Sequence, residues 1–170
     1  NKLIGIASSG LHSNGYSLAR KVLFEMMGLG INSVLPGLDR TVADELLTPT
    51  RIYVKTVLNL MRDFHISGIA HITGGGLLEN VPRILPNGCK AIINRISWAM
   101  PDIFTVLQQG GSIEDTEMFR TFNCGIGMVL AVPEQEAEEV LIRLSGLNED
   151  AFLIGEIAKC DVGGECVELV

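Results

Sequence analysis

Apolar runs of strand length alternate along this chain with segments whose apolar residues recur at helical spacing. That alternation limits the available folds more than any other feature. "KLIGIASS" opens as a strand over about residues 3–8. A helix near 16–27 follows, with Ala19, Val22, Leu23 and Met26 at the i, i+3, i+4, i+7 spacing of a buried face. Thr41 and Asp44 have the spacing of a capping box. A helix after "LTPTR" carries Val54, Val57, Leu58 and Met61 on one face, at core spacing. "SGIAHIT" reads as a short buried strand, "GLLENVPRIL" as a helix, and "PNG" as a turn into strand "KAIINR". Two short helices between Asp102 and Phe119, the second from "SIED", lead to "IGMVLAV", a strand closed by Pro133. A helix with Ala137, Val140, Leu141 and Leu144 on one face precedes the strands "FLIGEIA" and "ECVELV". The order β-α-α-α-β-α-β-α-α-β-α-β-β predicts one mixed sheet covered by helices, an α/β or α+β domain spanning residues 1–170.

A chain of 170 residues can bury a full core. Its hydrophobic fraction of 47% and mean hydropathy of +0.33 are high, yet no apolar run approaches the roughly 18 residues of a membrane span. The excess points to a buried sheet, or to a surface that another body covers. A net charge of -7 argues against nucleic acid or an anionic membrane as the main partner, so an anionic ligand would need a local site. Cys89, Cys124, Cys160 and Cys166 form no CxxC pair and have no neighbouring histidine ligand. They read as reduced thiols of a cytoplasmic protein rather than as a zinc site, and no metal ligand set is expected. The chain starts at Asn1 and runs straight into a strand, which reads as a piece of a longer protein.

Two glycine-rich junctions carry the candidate chemistry. In "AHITGGGLLEN" a strand passes through Thr73, Gly74, Gly75 and Gly76 into a helix. Glycine allows close approach of a ligand to the backbone, and the first helical N–H groups and the helix dipole favour an anion. The pattern is neither a P-loop nor GxGxxG, and a tight turn whose glycines only permit close packing explains it equally well. "SSGLHSNGYS" repeats the arrangement with His12, Ser13 and Asn14, although asparagine is also a common helix cap. Imidazole exchanges protons near neutral pH, so His12 and His71 are candidate acid–base groups; a satisfied core histidine is the plain reading for His71. Arg51 is a candidate phosphate clamp or an ordinary surface arginine. In "FNCGIGMVL" the glycines suggest a bulge or room for a ligand, and Cys124 a buried structural thiol. Glu134, Glu136, Glu138 and Glu139 complement a helix dipole, with Glu139 placed to pair with Arg143.

Taken together, "GLHSNGYSLARKV", "LTPTRIYVK", "AHITGGGLLENVPR" and "FNCGIGMVL" closely resemble the C-terminal domain of the aminoimidazole ribonucleotide synthetase (phosphoribosylformylglycinamidine cyclo-ligase) family. The resemblance runs over essentially the whole chain. It implies a three-layer α/β/α domain, partly like a ferredoxin plait. It also implies an ATP-dependent ring closure that converts formylglycinamidine ribonucleotide to aminoimidazole ribonucleotide in purine biosynthesis, with magnesium. By position, His12, Ser13 and Asn14 would face the substrate, His71 would lie near the reacting groups, and Thr73, Gly74, Gly75 and Gly76 would line the cleft; Asn123 would bind substrate. The family's N-terminal domain, with its acidic magnesium ligands, most of the nucleotide site and the main homodimer interface, is absent from this chain. The isolated domain is therefore expected to be inactive. The rival readings are the equivalent domain of formylglycinamidine ribonucleotide amidotransferase or selenophosphate synthetase, and a non-catalytic module that binds a phosphorylated sugar.

Overall fold

The computed structural model describes residues 1–160 and 165–170. Its element order is the one read from the sequence. Strand β1 is Lys2–Ala7, and α1 (Tyr16–Arg20) continues into a π-helical turn over Lys21–Met26. Helices α2 (Val42–Leu46) and α3 (Val54–Asp63) precede β2 (Gly68–His71) and α4 (Gly76–Asn80). Then come β3 (Cys89–Ile93), α5 (Asp102–Gly111), α6 (Asp115–Thr121), β4 (Ile126–Val132), α7 (Ala137–Gly146), β5 (Ala151–Lys159) and β6 (Val167–Leu169).

The six strands form one sheet in the order β2-β4-β1-β5-β3-β6. Every pairing is antiparallel except that of β3 with β6. The apolar run of β4 is buried along its whole length because it lies inside the sheet with helices on both sides. Strand alternation sends Leu3, Val129, Ala131 and Ile154 into the larger core, with residues of α1, α4, α5 and α6. It sends Ile4, Ile6, Leu130 and Val132 into a second core closed by α3 and α7. The result is a sheet between two helical layers.

Local signals set several boundaries. Thr41 Oγ1 accepts from the N–H of Asp44 at 3.1 Å, and Asp44 Oδ2 accepts from the N–H of Thr41 at 3.2 Å, which completes the capping box at α2. Ala19, Val22 and Leu23 are fully buried as their spacing requires, but Met26 is exposed. The π-helical turn adds a residue to that cycle, seen in the bond from Met27 N–H to Val22 carbonyl, and so rotates Met26 off the buried face. Arg143 pairs with Asp63 on α3 at 2.6 Å and donates to Asn59 at 3.0 Å, rather than pairing with Glu139.

The largest departure concerns α3. Most of its apolar stripe does not face the core: Val54 is 60% exposed, and Leu58 and Met61 are each 54% exposed, while Val57 is half-buried against the second core. Thr56 and Leu60 point inward instead. Thr56 donates to Glu149 Oε1 at 2.6 Å, and Leu60 packs in the second core. Strand β2 is likewise an edge strand rather than a buried one, with Ala70 inward and Ile69 and His71 outward. The open sides of α3 and β2 adjoin, and the candidate site lies between them.

Candidate functional site

The floor of the site is built by the loop after β1. Asn123 anchors that loop from beneath: its Oδ1 accepts from Ser8 Oγ at 3.0 Å and from Gly125 N–H at 2.8 Å, while its Nδ2 donates to Gly10 carbonyl at 2.8 Å. Above this pin the backbone turns through left-handed conformations at His12 (φ 53°) and Ser13 (φ 55°). Such conformations cost on the order of 1–3 kcal/mol each for residues with a β-carbon, and they concentrate at functional sites. Asn14 does not cap α1. Its Nδ2 donates to His12 carbonyl at 2.9 Å, and Gly15 stands at the N-cap position.

This geometry drives the His12 ring inward, leaving the residue 4% exposed. Its Nε2 receives two main-chain N–H groups, from Ser9 at 3.0 Å and from Arg51 at 3.3 Å. Ser9 Oγ, also 3.0 Å from Nε2, has its proton directed to Pro49 carbonyl at 2.7 Å. His12 Nδ1 is buried without a hydrogen-bond partner. Burial, reinforced by the nearby His71 and Arg51, pushes the His12 pKa down to about 4.

Beside His12 stands Tyr53, which the sequence reading did not single out. Its ring centroid lies 6.1 Å from that of His12 and 6.3 Å from that of His71, so the phenol separates the two imidazoles. The hydroxyl donates to Ala7 carbonyl at 2.7 Å, and burial holds its pKa above the usual phenol range. Gly127 makes this possible, because a β-carbon there would collide with the Tyr53 hydroxyl and with His12. In the β1–β4 register Ile6 faces Met128 and Ala7 faces Ile126, leaving Gly127 as the bulged residue.

From Tyr53 outward the site opens into a cleft of about 480 Å³, lined by Arg51, Ile52, Tyr53, Leu58, Ile69 and His71, among others. His71 is exposed at the end of β2, so the plain reading of a satisfied core histidine does not describe it. Arg51 Nη2 lies 2.6 Å from Glu149 Oε2, a contact of charges in which no N–H is aimed at that oxygen. The structure thus brings together His12, Arg51 and His71 of the expected residues. Asn123 supports them from below, and Ser13 is exposed on the rim of the loop.

Thr73 and the glycine triplet follow one residue after His71 but do not line this cleft. Their three glycines have three different reasons. Gly76 (φ 55°) is packed so closely that a β-carbon would strike the carbonyls of Phe119 and Phe122. Gly75 (φ 97°) sits left-handed at the start of α4, against Glu79. Gly74 faces open space. Gly76 N–H closes a turn on Thr73 carbonyl at 3.1 Å. Among the described residues no protein acceptor takes the N–H of Gly74 or Gly75. Asn80, unremarked in the sequence, braces the turn from inside by donating to the carbonyls of Gly76 at 2.8 Å and Gly74 at 3.2 Å, and by accepting from Thr73 Oγ1 at 3.2 Å. Cys124 is fully buried, and burial pushes its thiol up to about 12, as a structural cysteine requires.

A mixed sheet between two helical layers, with an open cleft beside its edge strand, defines a three-layer α/β domain. Residues 1–165 match the family described as AIR synthase related protein, C-terminal domain, and the chain belongs to that family. It is 75% identical over 170 residues to the phosphoribosylformylglycinamidine cyclo-ligase of Geotalea uraniireducens and 73% identical to that of Geobacter sulfurreducens, covering 100% of this chain and 49% of each relative. It thus spans about half the length of the curated relatives it matches. Among solved structures, thiamine-monophosphate kinase of Stenotrophomonas maltophilia aligns with a TM-score of 0.60 at 16% identity, over 99% of this chain and 49% of that one. HypE of E. coli, a hydrogenase maturation protein, aligns with a TM-score of 0.59 at 22% identity, over 99% of this chain and 45% of that one. Identities this low speak to the shared fold.

Proposed function

We propose that this chain is the substrate-facing half of an ATP-dependent cyclo-ligase that converts formylglycinamidine ribonucleotide to aminoimidazole ribonucleotide. The observation that carries the reading is 75% identity along the entire chain to a relative bearing that activity in its name. In the proposed reaction ATP phosphorylates the formamide oxygen, an amidine nitrogen attacks that carbon, and phosphate leaves as the imidazole ring closes. The site residues suit a ligand with both polar and apolar parts. His71 and Arg51 offer an imidazole and a guanidinium at the mouth of an apolar cleft, and the N–H groups of Gly74 and Gly75 are donors suited to a phosphate. Ser13 and Asn14 complete the proposed substrate side, with Thr73 and Gly76 shaping the turn. His12 and Asn123 hold the floor.

Magnesium fits this chain poorly: among the described residues no group of three or more His, Cys, Asp or Glu side chains gathers as a metal site. We assign the magnesium ligands, much of the nucleotide site and the homodimer contact to the half of the protein that lies outside this chain. The proposed compartment is the cytoplasm, in keeping with four free cysteines; no helix among the described residues is long and apolar enough to cross a membrane. The test is to assay ADP release and imidazole formation with this chain alone and with the chain joined to the remaining half of a relative. Turnover only in the joined protein is expected. A joined protein that folds, binds ATP and leaves formylglycinamidine ribonucleotide unchanged would overturn the assignment.

A further inference from the structure

We propose that His12 is a positioning residue: a neutral imidazole, protonated on Nδ1, whose Nε2 clamps the Arg51–Tyr53 wall of the cleft to the loop after β1. The tautomer follows from the donors around the ring. The N–H groups of Ser9 and Arg51 are fixed by the backbone and both end on Nε2, at 3.0 and 3.3 Å. A proton on Nε2 would oppose both of them, whereas the Ser9 hydroxyl is able to rotate and is committed to Pro49 carbonyl. Nε2 is therefore the acceptor, and the proton resides on Nδ1, the buried nitrogen without a partner.

Two consequences follow from this assignment. First, one side-chain atom joins the loop after β1 to a segment 39 residues beyond His12, with the N–H of Ser9 on one side and that of Arg51 on the other. Arg51 and Tyr53 enter the cleft from the segment so held, and their reach into it depends on that bond. Second, a proton added to His12 would break the clamp. The surroundings of the ring resist that event: burial opposes the added charge most, His71 and Arg51 oppose it further, and Tyr53 contributes a buried neutral phenol. His12 is thereby withdrawn from proton exchange. Under the cyclo-ligase reading, on which only this last step rests, the imidazole with access to the cleft is His71.

The experiment is direct observation of the ring nitrogens by long-range nitrogen–proton NMR in this chain, with Ser9 and Arg51 amide exchange followed in two variants. The expected result is the Nδ1–H tautomer, neutral from pH 7 down to pH 5. The His12→Gln variant, whose side-chain oxygen can replace Nε2 as acceptor, should keep Arg51 amide exchange within about threefold of the parent. His12→Phe, which fills the space without an acceptor, should speed it by on the order of tenfold or more. An Nε2–H tautomer, protonation above pH 6, or equal amide exchange in the two variants would overturn the proposal. If His12→Phe does not fold, the tautomer and the Gln variant still decide it. None of these readouts depends on which reaction the protein catalyses.

Discussion

The hydroxyl of Tyr53 occupies the space that a side chain at Gly127 would need, so the absence of a β-carbon on one strand residue is what lets a phenol stand between two histidines. Gly127→Ala should therefore cost about 1–3 kcal/mol by overpacking, measured by urea unfolding. Tyr53→Phe should cost about 1 kcal/mol, because it leaves Ala7 carbonyl without its donor. In the double variant the nearest clash is gone, so its cost should be smaller than the sum of the two single costs. Strict additivity would show that the two residues do not share this space.

The glycine triplet separates stability from ligand binding. Gly76→Ala forces a β-carbon onto two main-chain carbonyls at positive φ and should destabilise the fold by more than about 3 kcal/mol, with loss of expression as the simplest readout. Gly74→Ala meets nothing within 4 Å and should leave the melting temperature close to that of the parent. Its β-carbon would stand in the open space in front of the turn, so under the proposed function it should obstruct a phosphate held there and weaken substrate binding in the joined protein. Unchanged affinity would remove Gly74 from the proposed site.

The outward stripe of α3 makes a prediction of the opposite kind. Leu58→Ser with Met61→Ser should change folding stability by no more than about 0.5 kcal/mol, since both side chains are more than half exposed. The parent chain should show weak self-association in sedimentation velocity, and the variant should lose it. A stability loss of about 2 kcal/mol or more would mean that the stripe packs inward after all.

Acid should test His12 separately. Its folded pKa, about 4, lies below the unfolded value of 6.5, so between those limits the unfolded chain binds the extra proton. The stability that His12 contributes is complete above pH 6.5 and is lost as pH falls toward 4, by up to about 3 kcal/mol. Urea unfolding of the parent and of His12→Gln at pH 7 and pH 5 should show the steeper decline in the parent. Parallel declines would place the acid sensitivity in other groups.

How much of this was legible beforehand depended on the kind of signal. The order of strands and helices follows from periodicity, and the family from four motifs, since both are properties of the chain itself. The facing of α3 followed only at Val57, because an apolar stripe at Val54, Val57, Leu58 and Met61 shows that something must be covered without showing by what. Met26 failed for a different reason: one π-helical turn changes the count on which the spacing rests. Within the site, His71 and the glycines stood out by type, whereas Tyr53, Asn80 and Glu149 act through partners far away in sequence or inside a turn. Asn123 was noticed, but its work is to hold main-chain groups, which no local pattern reveals.

The clamp at His12 also closes the segment from residue 9 to residue 51 into a loop tied at its neck, with Ser9 bonded to Pro49 and Tyr53 bonded to Ala7. Length changes at the exposed residues 30–32, far from that neck, should then be absorbed within a ring whose closure entropy grows only slowly with size, whereas Leu35 further along is fixed in the core. An insertion at that exposed turn should leave the mouth of the cleft where it is.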